Sequence, residues 1–340
     1  MYRKIIDFLE VWKENKHRKP LILQGARQVG KTYSILEFGR THYENVAYFN
    51  FETNPKLNET FEENISPDYL IPILSHIAGQ TIIKEKTLIV FDEVQLCERA
   101  LTSLKYFCEN APDYHIIVAG SLLGVAVNRA KFSFPVGKVD MKTLYPMDME
   151  EFMLALGEDD LVEQIKKCFK TDTPLPSALH DAAMQLYRQY LVVGGMPECV
   201  MQFAETKDYI LVRHTQDTIL TSYLNDMSKY NNLNEIKKTR LAYDNITVQL
   251  SKKNTRFQYK LIKKGGRASE FENAIEWLCL SGIVSQVYKV EQIKKPLENY
   301  RDIDAFKIYV SDLGLLCTKK DLVANDILYM VEGEEVTGQD

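Results

Sequence analysis

Between residues 20 and 145, short apolar runs alternate with longer amphipathic ones. Pro20–Gln24, Val46–Phe51, Thr87–Phe91 and His115–Ala119 are rich in Ile, Val, Leu, Phe and Tyr and are bounded by turn residues, which predicts strands. Lys31–His42, Pro67–Gly79 and Arg99–Asn110 carry apolar positions at helical spacing. Strands alternating with helices make a parallel sheet covered on both faces. A further strand, Val139–Thr143, and a Tyr145-Pro146 turn close this region. From Met147 to about Met227 the pattern is almost wholly helical, with breaks at Thr173–Pro176 and Gly194–Pro197. A small mixed unit follows from Glu235 to Val290. It reads as a helix, a short apolar stretch Tyr259–Ile262, a basic turn Lys263–Arg267, a helix Ala268–Ser281 and a strand Ile283–Val290.

Composition narrows the class. The 340 residues are 45% hydrophobic and 26% charged, as in an ordinary folded protein. The longest apolar stretches, such as Thr87–Phe91 and Ile116–Ala119, are far shorter than the ~18 residues of a membrane span. The N-terminus mixes charged and apolar residues from the start and has no secretory signal pattern. Six scattered cysteines without a CxxC pair argue against a disulfide framework or zinc site, and favour reduced thiols in a cytoplasmic protein. Six histidines show no HxH or HExxH spacing, and no GxSxG occurs. The net charge of −5 hides an uneven distribution. Between Lys229 and Arg267 eleven Lys or Arg face two acids, whereas residues 321–340 hold six acids and no base.

The strongest chemical signal is Gly25-Ala26-Arg27-Gln28-Val29-Gly30-Lys31-Thr32, which matches GxxxxGK[ST] between an apolar strand and a helix. Glycines let backbone N–H groups curl around phosphate oxygens, and the helix N-terminus adds partial positive charge. Lys31 is placed to reach the β- and γ-phosphates, and the Thr32 hydroxyl to ligate Mg²⁺. A second element, Thr87–Glu93, is a buried-type strand ending in two acids. Asp92 can hold Mg²⁺ through its water shell, and Glu93 can polarise an attacking water. A third, weaker element ends in Ser121, which contacts the γ-phosphate or the lytic water on one reading and is simple turn chemistry on another. No arginine finger is assignable among Arg27, Arg99, Arg129 and the cationic substitute Lys138. The absence of a guanine-reading NKxD motif leans towards ATP.

GARQVGKT, FDEVQ, AGSLLGV, SFPVGKV and LYPMDMEEF occur in order, followed by VVGGMPE, SYLNDMSKY, KLIKKGGRASEFENAIEWL and FKIYVSDLGLL. Together they resemble the bacterial and archaeal AAA-like P-loop ATPases that carry a DUF4143 C-terminal region, over roughly residues 1–320. The resemblance implies an α/β P-loop NTPase of the ASCE type, its sheet sandwiched by helices. The strand leading to Ser121 would lie between the P-loop strand and the strand of Asp92. It also implies a winged-helix-like unit near residues 235–290. The expected division is an ATPase domain over 1–146, a helical region over 147–230, a winged-helix-like region over 231–320 and an acidic tail over 321–340. The family usually adds a module resembling restriction endonucleases, but no ExK cluster follows Asp321, so nuclease chemistry is not expected.

The winged-helix reading gives the basic segment a context. Lys252, Lys253, Arg256, Lys263, Lys264 and Arg267 can neutralise the phosphates of double-stranded DNA, with the helix after Arg267 presented to a groove. Glu270, Glu272 and Glu276 on that helix would repel phosphate, which tips the reading slightly towards an interdomain or protein-partner surface. The sequence therefore predicts an Mg²⁺-dependent ATPase whose hydrolysis moves the C-terminal parts. The alternative is a nucleotide-dependent protein-interaction switch with little hydrolysis.

Overall fold

The computed structural model describes residues 1–120, 134–229, 232–252 and 256–329. The chain divides into two compact units, Arg3–Tyr145 and Pro146–Asp340, the latter with Met1–Tyr2.

In the first unit the apolar runs form strands β1 (Leu21–Gln24), β2 (Asn45–Asn50), β3 (Thr87–Asp92), β4 (His115–Ala119) and β5 (Asp140–Thr143). All pair in parallel, in the order β2-β3-β4-β1-β5. β4 thus lies between the strand entering the glycine-rich loop and the strand ending in Asp92. Helices α1 (Ile5–Glu14), α2 (Lys31–His42), α3 (Lys56–Glu63), α4 (Pro67–Ala78) and α5 (Glu98–Asn110) flank the sheet. β3 and β4 are buried at every position, which is why they read as unbroken apolar runs. Edge strand β2 instead alternates, burying Ala47 and Phe49 and exposing Tyr48 between them.

One face of the sheet joins Ile22, Phe49, Phe91, Ile116 and Val118 to Phe61, Leu70, Leu74, Leu104 and Phe107 from the helices. Phe61 meets Phe91 edge-on, with ring centroids 5.5 Å apart. α3 was not apparent in the sequence because only Leu57 and Phe61 of its eight residues are buried.

At the amino edge of the sheet His115 is almost wholly enclosed. Its Nδ1 lies 2.7 Å from the Tyr43 hydroxyl, and the Trp12 ring packs edge-on at 6.0 Å. Burial, assisted by Arg18 and Lys13, pushes the imidazole down to about 4.

The second unit begins with α6 (Met149–Ala155), α7 (Asp159–Thr171), α8 (Ser177–Val193), α9 (Pro197–Thr206) and α10 (Tyr209–Lys229). A capping box starts α6: Glu151 N donates to Asp148 Oδ1 at 2.9 Å, and Asp148 N donates to Glu151 Oε2 at 3.1 Å. Then follow α11 (Leu233–Ser251), the single turn α12 (Tyr259–Ile262) and α13 (Ala268–Leu280). The antiparallel hairpin β6 (Val284–Val290) and β7 (Arg301–Val310) comes next, and α14 (Leu313–Lys319) and α15 (Ala324–Leu328) close the described chain.

Asp312 caps α14, as its position before Leu313 predicts, and also reaches across the unit. Its Oδ1 accepts from Leu315 N at 2.9 Å and its Oδ2 from Gly195 N at 2.6 Å. Gly194 has φ +72°, and a Cβ there would fall 2.3 Å from Asp312 Oδ1. Gln216 Nε2 donates to both Val192 O and Val193 O, and Thr318 donates to Gln216 Oε1. The Gly-Gly break and the Ser-Asp-Leu-Gly segment are therefore two halves of one buried joint. No helix of the described residues is long and apolar enough to cross a membrane.

The depressed basicity of His115 has a definite sign. Between its folded value of about 4 and the ordinary value near 6.5, the unfolded chain binds a proton that the folded chain refuses. Stability should therefore fall as pH is lowered through this window. In thermal unfolding followed from about pH 7 to about pH 5, His115→Gln should show a shallower decline than the wild-type chain.

Candidate functional site

A parallel sheet brings all its strand ends to one side, and this carboxyl edge gathers Gln24, Asn50, Asp92, Ala119 and Thr143. The glycine-rich loop leaves β1 at Gln24 and enters α2 at Lys31. Its turn depends on backbone angles that L side chains rarely adopt: Gly25 at φ +150°, Gln28 at +66° and Gly30 at +88°. Gly25 lies directly against the end of β5. A Cβ there would stand 2.2 Å from Leu144 O, while Leu144 N donates to Gln24 O at 2.8 Å.

Lys31 is buried, and its ammonium donates to Gly25 O at 2.9 Å and Ala26 O at 2.7 Å. The cation is therefore held over the loop rather than extended into solvent. Beside it, Thr32 Oγ1 donates to Asp92 Oδ2 at 2.8 Å, joining helix start to strand tip across sixty positions of sequence. The Tyr48 hydroxyl donates to the same oxygen at 2.8 Å, and Glu93 N donates to Asp92 Oδ1 at 3.0 Å. Burial, chiefly, with help from Asp92, pushes the Tyr48 hydroxyl up to about 12, so it remains a donor. Thr32 and Asp92 thus present two hard oxygen donors side by side, a pairing suited to Mg²⁺, which keeps several waters and takes one or two protein oxygens.

Glu93 leaves the strand with φ +52° and ψ +38°, a left-handed residue that turns the chain sharply beyond Asp92. Its Oε2 accepts from the Gln95 amide. Ser121 and Arg129 lie outside the described residues. Arg99 donates to Phe61 O at 2.7 Å and pairs with Glu62 at 3.6 Å, and Lys138 pairs with Glu109 at 2.9 Å. Those two cations are engaged where they stand.

Sequence reasoning missed three side chains here. Tyr48 sits on the exposed face of β2, and its signal was the polar-side position two residues before the strand end. Gln95 closes the FDEVQ segment, which the sequence marks for its two acids and not for this amide. Arg3, in a segment read only for its charge alternation, is buried, donating from Nη1 to Val29 O and from Nη2 to Tyr145 O, both at 2.8 Å.

The basic residues of 252–267 belong to the second unit. Lys252, Arg256, Lys264 and Arg267 are exposed, Lys263 pairs with Glu270 at 3.1 Å, and Lys253 lies outside the described residues. α13 buries Phe271, Ala274, Ile275, Trp277 and Leu278, leaving Glu272, Asn273 and Glu276 on its exposed face. The helix expected to enter a DNA groove therefore presents acids outward, because its apolar positions claim the other side.

Comparison with known proteins agrees with this architecture. Residues 17–153 match a family model described as an AAA domain, and residues 184–326 match a domain of unknown function, DUF8612. The C-terminal match is thus to DUF8612 and not to the DUF4143 region that the sequence resembles. Among solved structures, a Walker-type ATPase of Pyrococcus abyssi aligns with 94% of this chain and 95% of its own at 13% identity, with a TM-score of 0.56. The ORC2 protein of Aeropyrum pernix aligns over 96% and 91% at 11% identity, with a TM-score of 0.45. No curated protein matches the sequence. The first unit has a P-loop NTPase fold: a five-stranded parallel sheet with a glycine-rich loop between its first strand and the following helix.

The contact of Gly25 with Leu144 predicts a graded response to alanine. Gly25→Ala should cost about 3 kcal/mol in denaturant unfolding. Gly79→Ala, at φ +66° with open space around it, should cost only about 1 kcal/mol.

Proposed function

We propose that this chain binds MgATP at the carboxyl edge of the first unit and hydrolyses it. The observation that carries this reading is the 2.8 Å contact between Thr32 and Asp92 beside the buried Lys31 ammonium. These three groups come from the two sequence elements read independently as phosphate- and metal-binding, and the fold brings them together.

The chemistry follows from the residues. Backbone N–H groups of Gly25–Thr32, at the amino end of α2, receive the phosphates, with the helix dipole adding positive potential. Lys31 exchanges its carbonyl partners for phosphate oxygens and offsets their charge. Thr32 and Asp92 would hold Mg²⁺, which when bound neutralises charge on the β- and γ-phosphates. Glu93, oriented by Gln95, accepts a proton from water as the water oxygen attacks the γ-phosphorus. The bond from that phosphorus to the bridging oxygen breaks, releasing ADP and phosphate. Ser121, outside the described residues, is proposed as a contact to the γ-phosphate or to the lytic water.

Glu93→Gln removes the base without removing the cradle. The variant should retain MgATP in calorimetry while steady-state phosphate release falls at least about 100-fold. Unchanged turnover would refute the assignment. Wild-type binding with negligible turnover would instead favour the nucleotide-dependent switch acting on a protein partner.

A second reading concerns the DUF8612 segment. Three helices followed by a hairpin give the element order of a winged helix, and the turn before α13 carries exposed Lys264 and Arg267 around an open Gly265. With acids on the outer face of α13, duplex DNA would be met at its backbone by this turn, not read in its groove. Retention on duplex DNA should then fall steeply with salt and disappear when Lys252, Lys263, Lys264 and Arg267 are neutralised together. Absence of binding at low salt would remove this reading and leave hydrolysis untouched.

A further inference from the structure

Arg3 stands 22 residues before the glycine-rich loop and belongs to none of its motifs. Yet its side chain is 3% exposed, and its guanidinium spans two backbone carbonyls, Val29 O inside the loop and Tyr145 O just beyond β5. These two bonds call for an account, because a donor fixed on a loop carbonyl sets the orientation of the peptide that carries it.

The peptide geometry supplies one. Across a trans peptide, C=O and N–H point in opposite directions. With Val29 C=O turned to Arg3, the Gly30 N–H must point away from it. Gly30 itself permits either orientation: it sits at φ +88° and, lacking a Cβ, adopts φ of either sign with ease. A flip of the Val29–Gly30 peptide would replace a donor with a carbonyl oxygen and repel a phosphate.

We infer that Arg3 is a positioning residue that locks the Val29–Gly30 peptide with its N–H toward the bound phosphates. The inference rests on the nucleotide reading given above. The second arm, on Tyr145 O, ties the loop to the segment against which Gly25 is already seated through Leu144. The loop is thereby braced at both ends against one stretch of chain. Arginine suits the task because its planar fork serves two acceptors at fixed separation, whereas a lysine ammonium is a single point on a flexible stem.

The test compares wild type, Arg3→Lys and Arg3→Ala by calorimetry with MgADP, and follows the Gly30 amide resonance during the same titration. Wild type should bind and its Gly30 amide should move strongly. Arg3→Lys should bind at least about tenfold more weakly, with the Gly30 displacement reduced. Guanidinium ion, added to Arg3→Ala well below denaturing concentrations, should restore part of the affinity, which a general loss of packing would not allow. Wild-type binding with equal affinity and equal Gly30 displacement in Arg3→Lys overturns this inference alone. Absence of binding by the wild-type chain overturns the nucleotide reading and this inference with it.

Discussion

The backbone carbonyls of a tightly turned loop need partners of their own. That constraint organises the first unit. Val29 O is taken by Arg3, and Gly25 O and Ala26 O by Lys31. The close seating of Gly25 on Leu144 leaves no room for a side chain. The loop is shaped as much by the partners of its carbonyls as by the glycines that let it bend.

The second requirement is that the loop meet an acidic strand tip. Parallel pairing supplies this, because every strand ends at the same edge. β3 and β1 are not neighbours, since β4 separates them. Asp92 therefore has to reach the start of α2 across the width of an intervening strand, and the Thr32 hydroxyl closes the gap. Tyr48, one strand further out, steadies the same carboxylate oxygen from the opposite side. The left-handed backbone at Glu93 then swings the second acid out of the strand direction.

The C-terminal unit is organised by a different device. Asp312 is wholly enclosed, and burial pushes its carboxyl up to about 6 against the pull of the N–H groups of Leu315, Gly195 and Gly314. It joins two segments more than a hundred residues apart, so the break between α8 and α9 is fixed by a residue near the end of the described chain. The neighbouring three-helix and hairpin segment places its positive charge on a turn and its acids on the exposed face of α13, an arrangement set by which side of that helix is apolar.

The sequence alone determined the strands of the first unit and its helices α2, α4 and α5, because β3 and β4 are buried throughout and apolar positions such as Ile35 and Phe38, Leu70 and Leu74, or Leu101 and Leu104 recur at helical spacing. It also marked Gly25–Thr32 and Asp92-Glu93, whose chemistry lies in contiguous residues. It was silent on α3, whose helical signal is two buried side chains. It was silent too on Arg3 and Tyr48, since a lone arginine and a strand tyrosine have no local pattern to distinguish them. Only the tertiary structure decided which carbonyl Arg3 answers and which oxygen Tyr48 holds. Those are contacts between residues distant in sequence, and their partners are chosen by the order of strands and the packing of helices, which no short run of residues contains.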